Sequence, residues 1–434
     1  MTRVLDVYLC DIFAGKLHQD NSGRLSFNYN SDYLKEAHLP LSISMPLQPQ
    51  TYHEPVSQAF FSGLLPEASL RERIADSLKI SAGNTFKLLE VIGGDCAGAV
   101  SLYPEGERPE KPNDDFRLLS DLELIEVVND IRQYPFLIDR KNIRLSLAGA
   151  QDKLPVLLVK DDIAIPQKIP SSHILKTPII RFENDIFDSV QNEFFCMQLA
   201  KAVHINVPET KIKWCEKVPL LLISRYDREI EWEKLISYCF KHTTYNNYVR
   251  RLHQEDFCQA LGIVPQKKYQ NEGGPSIIQC LNLVETFSAR PGIDRLELIR
   301  RIIFNYLIGN ADAHAKNFSF LYRGGKRILA PAYDLLSTAI YPKINQKMAM
   351  KIGSQYEPYR VYWRHWQSLV ENTAIAHKIL ATDLQDLAKN LPELADQLRQ
   401  DMEQQGVFSP AFQKIKDVIH KRSKHILAYN FSEV

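Results

Sequence analysis

Residues 305–320 read NYLIGNADAHAKNFSF, and residues 331–337 read PAYDLLS. The apolar residues at positions 296–308 surround most of a helix, which predicts a helix buried in the middle of a domain. Asp312 follows this helix and precedes Asn317 by five residues, and Asp334 comes 17 residues after Asn317. Transfer of a phosphoryl group from a nucleotide needs this arrangement, because one carboxylate orients the attacking hydroxyl while an amide and a second carboxylate hold Mg²⁺. The segment therefore predicts Asp312 as the catalytic base and Asn317 and Asp334 as magnesium ligands.

Taken alone, an Asp and an Asn five residues apart are more often turn or capping residues. The functional interpretation is favoured here by the buried helix before the loop, the second acid and a β-rich region upstream. Protein kinases have the same spacing between catalytic Asp and metal-binding Asn. His314 either neutralises charge on the transferred group or holds the loop through a hydrogen bond. For Lys316 a solvated or ion-paired side chain is favoured over a role in the site.

Lys176 lies in HILKTP at residues 173–178, a strand pattern, and Glu193 follows 17 residues later on a predicted helix at 189–204. A lysine within an apolar strand needs a partner, because burying an unpaired ammonium is costly. A Lys–Glu pair of this kind holds nucleotide phosphates in kinases. The alternative is a snorkelling lysine at a sheet edge and a solvated glutamate.

Residues 144–153 read RLSLAGAQDK, a turn of small residues between two predicted strands. Its backbone N–H groups could cradle phosphates. It has one glycine, Gly149, and no G-x-G-x-x-G pattern, so the signal is weak. Ser146 is a candidate for self-phosphorylation, because a phosphate there would oppose nucleotide binding. The alternative is an ordinary strand serine.

The chain has 434 residues, 45% of them hydrophobic, with 53 Lys and Arg against 52 Asp and Glu and a net charge of +1. This composition excludes disorder, collagen and coiled coil and predicts two or three domains. The near-neutral charge excludes a basic DNA-coating protein, although a local patch could still contact DNA. We expect a cytoplasmic protein without a membrane span, since no apolar run is long enough and no signal peptide is evident. The seven cysteines form no C-x-x-C pair, which argues against zinc sites and disulfides.

Four regions are predicted along the chain. Residues 1–103 form a compact unit of short strands, including 4–13, 41–47 and 99–102, with one or two helices at 57–65 and 69–78. Residues 104–139 form a linker and connecting helix. Residues 140–225 form a small lobe with strands at 144–147, 154–160, 173–178, 211–214 and 220–224. Residues 226–434 form a mostly helical lobe.

The chain resembles the HipA family, the kinase toxins of HipBA toxin–antitoxin systems. The resemblance runs through most of the length, and the segments in this order are highly specific. The segments that carry it are LSISMPL (41–47), FFSGLLPEASLRERI (60–74), GDCAGAVSLYP (94–104), SLAGAQDK (146–153), HILKTP (173–178), NEFFCMQLAKAVHINVP (192–208), SRYDR (224–228), QEDFCQALG (254–262), KYQNEGGP (268–275), LIGNADAHAKNFS (307–319) and PAYDLLS (331–337).

The resemblance implies an α+β, two-lobed protein-kinase-like fold, with a β-rich N-terminal lobe, an extra N-terminal subdomain and an α-rich C-terminal lobe. It implies an ATP- and Mg²⁺-dependent serine/threonine protein kinase in which Asp312 is the base, Asn317 and Asp334 bind Mg²⁺, and Ser146 is the inactivating autophosphorylated serine. The nucleotide-binding residues that follow from it are Ala148, Gly149, Ala150, Gln151, Asp152, Lys153, Lys176, the hinge Ser224, Arg225 and Tyr226, and His314, Lys316 and Tyr333, with Glu193 as the salt-bridge partner.

The family also implies partners. These are a HipB-like helix-turn-helix antitoxin dimer, contacted by the N-terminal subdomain, operator DNA bound through that complex, and a protein substrate such as an aminoacyl-tRNA synthetase. Basic residues at 346–366 are weaker candidates for DNA contact, namely Lys347, Lys351, Arg360 and Arg364. Two alternatives stay open: a catalytically inactive repression partner of the antitoxin, and a small-molecule kinase.

The chain departs from the sequence patterns of the HipA family and of eukaryotic protein kinases at several positions. Ser224 stands where family members can have an acid at the hinge, although hydrogen bonds from the backbone would survive that change. Neither HRD nor DFG occurs in its eukaryotic form, because Ala311 precedes Asp312 and Leu335 follows Asp334. Activation-loop control of the eukaryotic kind is therefore not expected.

Overall fold

The computed structural model describes residues 3–36, 38–109, 116–133, 151–167, 169–179, 186–231 and 249–431. The chain divides into two compact units. The first unit comprises Met1–Thr177, Lys213–Gln266 and Ser319–Ala330, and the second comprises Pro178–Ile212, Lys267–Phe318 and Pro331–Val434.

The first unit begins with a four-stranded antiparallel sheet in the order β3-β2-β1-β4. Its strands are Arg3–Leu9 (β1), Ile12–Gln19 (β2), Leu25–Tyr29 (β3) and Val100–Pro104 (β4). Cys10 and Asp11 connect β1 to β2, both with positive φ, 51° and 63°. Two consecutive residues with positive φ form the tight turn whose twist matches paired strands. The predicted strand at 4–13 is therefore a hairpin.

Four helices cover this sheet, where the sequence predicts one or two. They are Ser31–Lys35 (α1), Val56–Gly63 (α2), Ala68–Ser77 (α3) and Thr85–Ile92 (α4). The core between them contains fully buried Phe27, Phe60, Phe61 and Phe86. The predictions of helices at 57–65 and 69–78 and of a strand at 99–102 are confirmed. The predicted strand at 41–47 is wrong, because this segment turns back on itself, with one isolated bridge between Ser42 and Met45.

A six-stranded sheet follows, in the order β5-β7-β6-β8-β10-β9. Its strands are Phe116–Leu118 (β5), Lys153–Val159 (β6), Asp162–Pro166 (β7), His173–Lys176 (β8), Thr210–Cys215 (β9) and Val218–Ser224 (β10), and the helix Asp121–Gln133 (α5) lies between β5 and β6 in sequence. Four of these strands were predicted and are confirmed, whereas β5 and β7 were missed. The predicted strand at 144–147 lies outside the described residues.

Two small sheets complete the first unit. They comprise Arg228–Ile230 (β11) with Val249–Arg251 (β12), and Gln254–Asp256 (β13) with Ser319–Arg323 (β14) and Lys326–Leu329 (β15). The short helix Phe257–Ala260 (α7) follows β13. The prediction of a mostly helical region from residue 226 therefore missed five strands, each of three to five residues. Such short strands carry too little alternation to be recognised.

The second unit is built from helices. They are Ser189–Ala202 (α6), Ile277–Phe287 (α8), Pro291–Ile308 (α9), Trp363–Gln367 (α10), Ala374–Gln404 (α11) and Pro410–Leu427 (α12). The rings of Phe195 on α6 and Phe412 on α12 stack 4.8 Å apart. Every residue of α9 from Ile302 to Ile308 is buried, which confirms the predicted buried helix. The described residues also form short 3-10 helices at Pro265–Lys267, Gln270–Glu272, Ala315–Asn317, Thr338–Ile340 and Pro358–Arg360.

Within the described ranges, no helix combines the length and the apolar character that a crossing of the bilayer requires.

Candidate active site

The loop that carries Asp312 begins where α9 ends, at Gly309. This glycine has φ 80°, and a Cβ added to it would lie 2.7 Å from Cβ of Ala339 and 2.8 Å from Cγ1 of Val418. Only glycine combines this backbone conformation with such close packing. The following residue, Asn310, donates from its side-chain amide to Oδ1 of Asn305 at 2.8 Å and to the carbonyl of Asp334 at 3.3 Å. The helix end thereby fixes the start of the loop and joins it to residue 334.

Asp312 is exposed, and its carboxylate is held in position by one hydrogen bond. Its Oδ1 accepts a hydrogen bond of 2.7 Å from the Tyr269 hydroxyl. Its backbone N–H donates to Oδ1 of Asn310 at 3.1 Å. An exposed carboxylate with a fixed orientation has the accessibility that a base for a substrate hydroxyl requires. The sequence did not assign a role to Tyr269, although it lies in the KYQNEGGP segment.

Asn317 and Asp334 lie side by side, as the sequence predicts for a magnesium site. Nδ2 of Asn317 is 3.5 Å from Oδ2 of Asp334. Asp334 has φ 54°, a left-handed conformation that is unusual for a residue with a side chain and is found preferentially at functional sites. An amide oxygen and a carboxylate suit Mg²⁺, which takes one or two protein carboxylates and fills its other positions with water and phosphate oxygens. The two side chains therefore fit the predicted ion.

No group of three or more His, Cys, Asp or Glu side chains suited to a metal occurs in the described part of the chain.

The remaining predicted residues of the loop are more buried than the sequence suggests. Lys316 is 7% exposed, so it is not a solvated lysine, whereas the alternative of an ion-paired lysine stays a prediction. Its carbonyl accepts a 2.7 Å hydrogen bond from the Tyr333 hydroxyl. His314 is also buried, and its imidazole lies edge-on to the Tyr269 ring with centroids 5.4 Å apart. The loop is thus packed around Asp312 rather than free in solvent.

Lys176 is 5% exposed and lies on β8, between β6 and β10. The alternative of a snorkelling edge-strand lysine is therefore wrong. Glu193 is 3% exposed on α6, which also contradicts the alternative of a solvated glutamate. Lys176 belongs to the first unit and Glu193 to the second, and their pairing stays a prediction.

A second lysine stands directly opposite Lys176 in the sheet. Lys153 on β6 pairs with Lys176 in the antiparallel register, and both are buried. Their two ammonium groups concentrate positive charge at one place in the sheet, and lysine ammonium groups bind the phosphate groups of nucleotides. The pair of lysines therefore supports the prediction of a phosphate-binding site on this sheet.

Two residues of the predicted phosphate loop, Gln151 and Asp152, are held by neighbours in the first unit. The side-chain amide of Gln151 donates to the carbonyl of Thr177 at 3.0 Å, and the N–H of Thr177 donates to the carbonyl of Asp152 at 3.3 Å. The Asp152 carboxylate forms an ion pair with Arg73 on α3, a residue that the sequence did not identify. The predicted residues Ser146, Ala148, Gly149 and Ala150 lie outside the described residues.

The predicted hinge residue Ser224 ends β10. Its hydroxyl is 3.0 Å from Nε2 of His173, whose Nδ1 is 2.8 Å from the hydroxyl of Ser172. The next N–H, of Arg225, donates to the carbonyl of Ser172 at 2.9 Å. Tyr226 is half-buried and hydrogen-bonds to Gln254 through its hydroxyl.

The Arg225 side chain is 1% exposed and serves the structure of the hinge. Its guanidinium donates to both carboxylate oxygens of Asp227, at 2.9 and 2.7 Å. Burial opposes the charged form of Asp227, but the guanidiniums of Arg225 and Arg228 outweigh it and hold its pKa well below the usual range. The guanidinium of Arg225 is therefore engaged within the protein and is not available to a nucleotide.

Asp95, from the N-terminal region, joins the same buried network. Its carboxylate is 2.8 Å from the guanidinium of Arg228, 3.4 Å from that of Arg251 and 3.8 Å from that of Arg225. The Gly98 N–H donates to Asp227 at 2.7 Å. From the sequence, the SRYDR segment is predicted only as a hinge. In the structure it also binds residues 95–98 through these ion pairs and hydrogen bonds.

The four candidate DNA-contact residues lie in the second unit. Lys347 is 3.7 Å from a carboxylate oxygen of Glu357, and Arg360 is exposed. Lys351 and Arg364 line a cavity of about 510 Å³. Their contact with DNA stays a prediction.

Comparison with known proteins agrees with these observations. The family model described as the HipA N-terminal domain matches residues 5–103, and that described as the HipA-like C-terminal domain matches residues 145–405. The putative kinase Y4mE of Sinorhizobium fredii is 35% identical over 428 residues, which cover 97% of this chain and 98% of that protein. The serine/threonine-protein kinase toxin HipA of Shewanella oneidensis is 30% identical over 403 residues, 90% of this chain and 88% of that protein.

A solved structure of the Shewanella oneidensis HipA, HipB and operator DNA complex matches with a TM-score of 0.79 and 27% identity, covering 99% of both chains. The expected α+β, two-lobed kinase-like fold is confirmed by this match. Since family models match both its N-terminal region and most of the rest, and relatives of at least 30% identity span nearly its whole length, the chain belongs to the HipA family.

Proposed function

We propose that this chain is an ATP- and Mg²⁺-dependent serine/threonine protein kinase of the HipA type. The observation that carries the proposal is the arrangement of three side chains in the second unit. Asp312 is exposed and held in orientation by a hydrogen bond, and Asn317 and Asp334 lie next to each other. The buried lysines Lys153 and Lys176, which lie opposite each other in the sheet of the first unit, also support it, because lysine ammonium groups bind phosphate. The name of the Shewanella relative as a serine/threonine-protein kinase toxin agrees with this chemistry.

In the proposed reaction, Asp312 orients the hydroxyl of a serine or threonine and accepts its proton as the oxygen attacks the γ-phosphorus of ATP. Tyr269 holds the carboxylate in position through its hydrogen bond. Asn317 and Asp334 hold Mg²⁺, which when bound neutralises charge on the phosphate oxygens. Lys176 and Lys153 bind phosphate groups, and the ATP β–γ bond breaks as ADP leaves.

The test is replacement of Asp312 by Gln, with phosphotransfer from labelled ATP as the readout. Loss of one acid–base group lowers such rates by roughly 10²–10⁴-fold. Because Asp312 is exposed, the variant should fold normally, which circular dichroism checks. Normal phosphotransfer by this variant would contradict the assignment of the base.

We further propose that the chain acts as a growth-arresting toxin in the cytoplasm. A HipB-like helix-turn-helix dimer would neutralise it and would repress its operon together with it. The support is the Shewanella relative, a toxin whose solved complex contains HipB and operator DNA. A translation component such as an aminoacyl-tRNA synthetase is the substrate class expected from the family resemblance. Phosphoproteomics after brief expression would identify the substrate.

An inactive repression partner of the antitoxin is the second candidate, motivated by the complex of the Shewanella relative with operator DNA. Titration with ATP, with and without Mg²⁺, separates the two. Binding that depends on Mg²⁺ supports the kinase, and the absence of binding in both conditions supports the repression partner. Phosphate that appears on a metabolite, rather than on protein, would instead indicate a small-molecule kinase.

A further inference from the structure

A groove in the second unit, of about 510 Å³, has no role in the reaction described above. One wall is formed by the start of α8 and the other by the turn at residues 351–354 and the segment that begins in α10. The residues that line it are Gln270, Ser276, Ile277, Ile278, Lys351, Gly353, Ser354, Arg364, His365, Ser368 and Leu369. The two parts of this second wall are packed against each other, since a Cβ added to Gly353 would lie 2.9 Å from Cα of His365.

The charge of the groove is positive and its lining is partly apolar. Lys351 and Arg364 line it, and no carboxylate does. The Lys351 ammonium lies 4.9 Å from the Tyr356 ring centroid, and the Arg364 guanidinium lies 5.6 Å from that of Tyr362. No described carboxylate forms an ion pair with either cation. Ile278, 41% exposed, adds apolar surface that is open to solvent.

Hydrogen bonds connect the lining of the groove to the loop that carries Asp312. Oε1 of Gln270 accepts a 2.7 Å hydrogen bond from the N–H of Lys351. The N–H of Gln270 donates to the carbonyl of Ala349, and the N–H of Ala349 donates to the carbonyl of Ala311, at 3.1 and 2.8 Å. Tyr269, the neighbour of Gln270, holds the Asp312 carboxylate. A chain lying in this groove would therefore continue toward the proposed base.

We infer that this groove binds the segment of the protein substrate that flanks the phosphorylated serine or threonine, and that this segment is acidic. The inference rests on the proposed kinase function and names a specificity site for it. Carboxylates of the substrate would pair with Lys351 and Arg364, and an apolar side chain would cover Ile277 and Ile278. A concave, partly apolar groove suits an extended peptide better than the convex, highly charged backbone of DNA.

The experiment measures binding, so it does not depend on catalysis. A fluorescently labelled short peptide with one serine, one leucine and several glutamates is titrated with the full chain, and its anisotropy is followed. The double variant Lys351→Glu with Arg364→Glu should bind about tenfold more weakly, which corresponds to about 1.4 kcal/mol. A peptide with glutamines in place of the glutamates should bind the wild-type chain more weakly than the glutamate peptide does, and the double variant should no longer prefer the glutamate peptide. Added salt should reduce the difference, because these charges are partly exposed.

The matched control is Arg360→Glu, a charge reversal on an exposed arginine outside the groove lining. It should leave peptide binding unchanged. Equal affinity of the two peptides, unchanged binding by the double variant, or no binding of either peptide would each overturn the inference. A labelled DNA duplex is tested in parallel, and weaker DNA binding with unchanged peptide binding in the double variant would make this surface a DNA contact instead. Asp312→Gln should retain peptide binding, which separates failure of this inference from failure of the kinase proposal.

Discussion

The hydroxyl of Tyr269 lies 2.7 Å from Oδ1 of Asp312 and donates a hydrogen bond to it. The loop that carries Tyr269 is tightly closed, because the N–H of Gly274 donates to the Tyr269 carbonyl at 2.9 Å. A Cβ added to Gly274 would lie 2.3 Å from the carbonyl oxygen of Lys267, so this loop tolerates no side chain there. A rigid loop thus fixes the orientation of the proposed base, and Tyr269 becomes a positioning residue in the reaction.

Replacing Tyr269 by Phe should lower kcat by roughly tenfold, because a hydrogen bond to a charged group contributes about 1.5–3 kcal/mol. The KM for ATP should stay close to the wild-type value, since the hydroxyl contacts the base and not the nucleotide. Steady-state kinetics over a range of ATP concentrations measure both. Tyr359→Phe, which removes the hydroxyl of a well-exposed tyrosine, serves as the control. Equal loss in the two variants would show that the contact with Asp312 has no catalytic role.

Replacing Asp334 by Asn should weaken the Mg²⁺ dependence of nucleotide binding, because the site would lose its carboxylate and keep only amide oxygens. We expect the ATP affinity of this variant to respond little to Mg²⁺, whereas the wild-type chain should bind ATP more tightly when Mg²⁺ is added. Calorimetric titration with and without Mg²⁺ measures the difference.

Asp312→Gln is the matched control for this experiment. It changes an acid of the candidate site that is not assigned to the metal, and it should retain the wild-type response to Mg²⁺. A Mg²⁺ response that persists in Asp334→Asn would remove Asp334 from the metal site.

Incubation with ATP should place phosphate on Ser146, because this serine belongs to the SLAGAQDK segment shared with the family. A phosphate adds roughly −1.5 to −2 charges where nucleotide phosphates would bind, so the modified chain should lose activity. Mass spectrometry locates the phosphate, and Ser146→Ala should stay active longer. Asp312→Gln should stay unmodified when incubated alone. Phosphate found only at other positions would contradict self-inactivation through Ser146.

Glu255 predicts a specific pH dependence of stability. It is buried in the first unit, accepts hydrogen bonds from the N–H of Ile43 and from the hydroxyls of Ser42 and Tyr322, and its pKa is raised by burial to about 7 from 4.5. Between about pH 4.5 and 7 the folded chain keeps a proton that the unfolded chain releases. This group's contribution to stability is therefore largest below pH 4.5 and falls as the pH rises through 7, by roughly 3 kcal/mol in total.

Comparing Glu255→Gln with the wild-type chain isolates this effect. As the pH rises from 5 to 8, the thermal unfolding midpoint of the wild-type chain should fall relative to that of the variant. The glutamine stays neutral over this range, whereas Glu255 loses its proton. His253 titrates in the opposite direction, since burial lowers its pKa to about 4, but it contributes equally to both proteins. A difference between the two midpoints that stays constant between pH 5 and pH 8 would show that Glu255 does not change its protonation in this range.

The sequence predicted the elements that have long periodic patterns. Helix α9 and the helix at Ser189–Ala202 were recognised because apolar residues recur over several turns. Strands such as Gln254–Asp256 were missed because three residues carry no measurable alternation, and this strand pairs with residues more than 60 positions away. The apolar run at 41–47 predicts a strand, but this segment forms a turn. The Glu255 carboxylate stabilises the turn by accepting a hydrogen bond from the N–H of Ile43.

The sequence likewise predicted part of the candidate site and missed another part. Asp312, Asn317 and Asp334 were found because they are close in sequence, with Asp312 and Asn317 in one loop and Asp334 after the following hairpin. Tyr269 was missed because its partner Asp312 is 43 positions away, and no local pattern marks such a contact. Burial of Lys316 could not be anticipated either, since a lysine in a polar loop is usually solvated.

The buried carboxylate–guanidinium network has a consequence for how members of this family can be recombined. Asp95 comes from the region matched by the N-terminal model, whereas Arg225, Arg228 and Arg251 come from the region matched by the C-terminal one. Removal of one partner leaves buried charge uncompensated, which typically costs about 3–5 kcal/mol. A chimaera that joins the N-terminal region of one relative to the remainder of another will therefore need a matched set of these four residues.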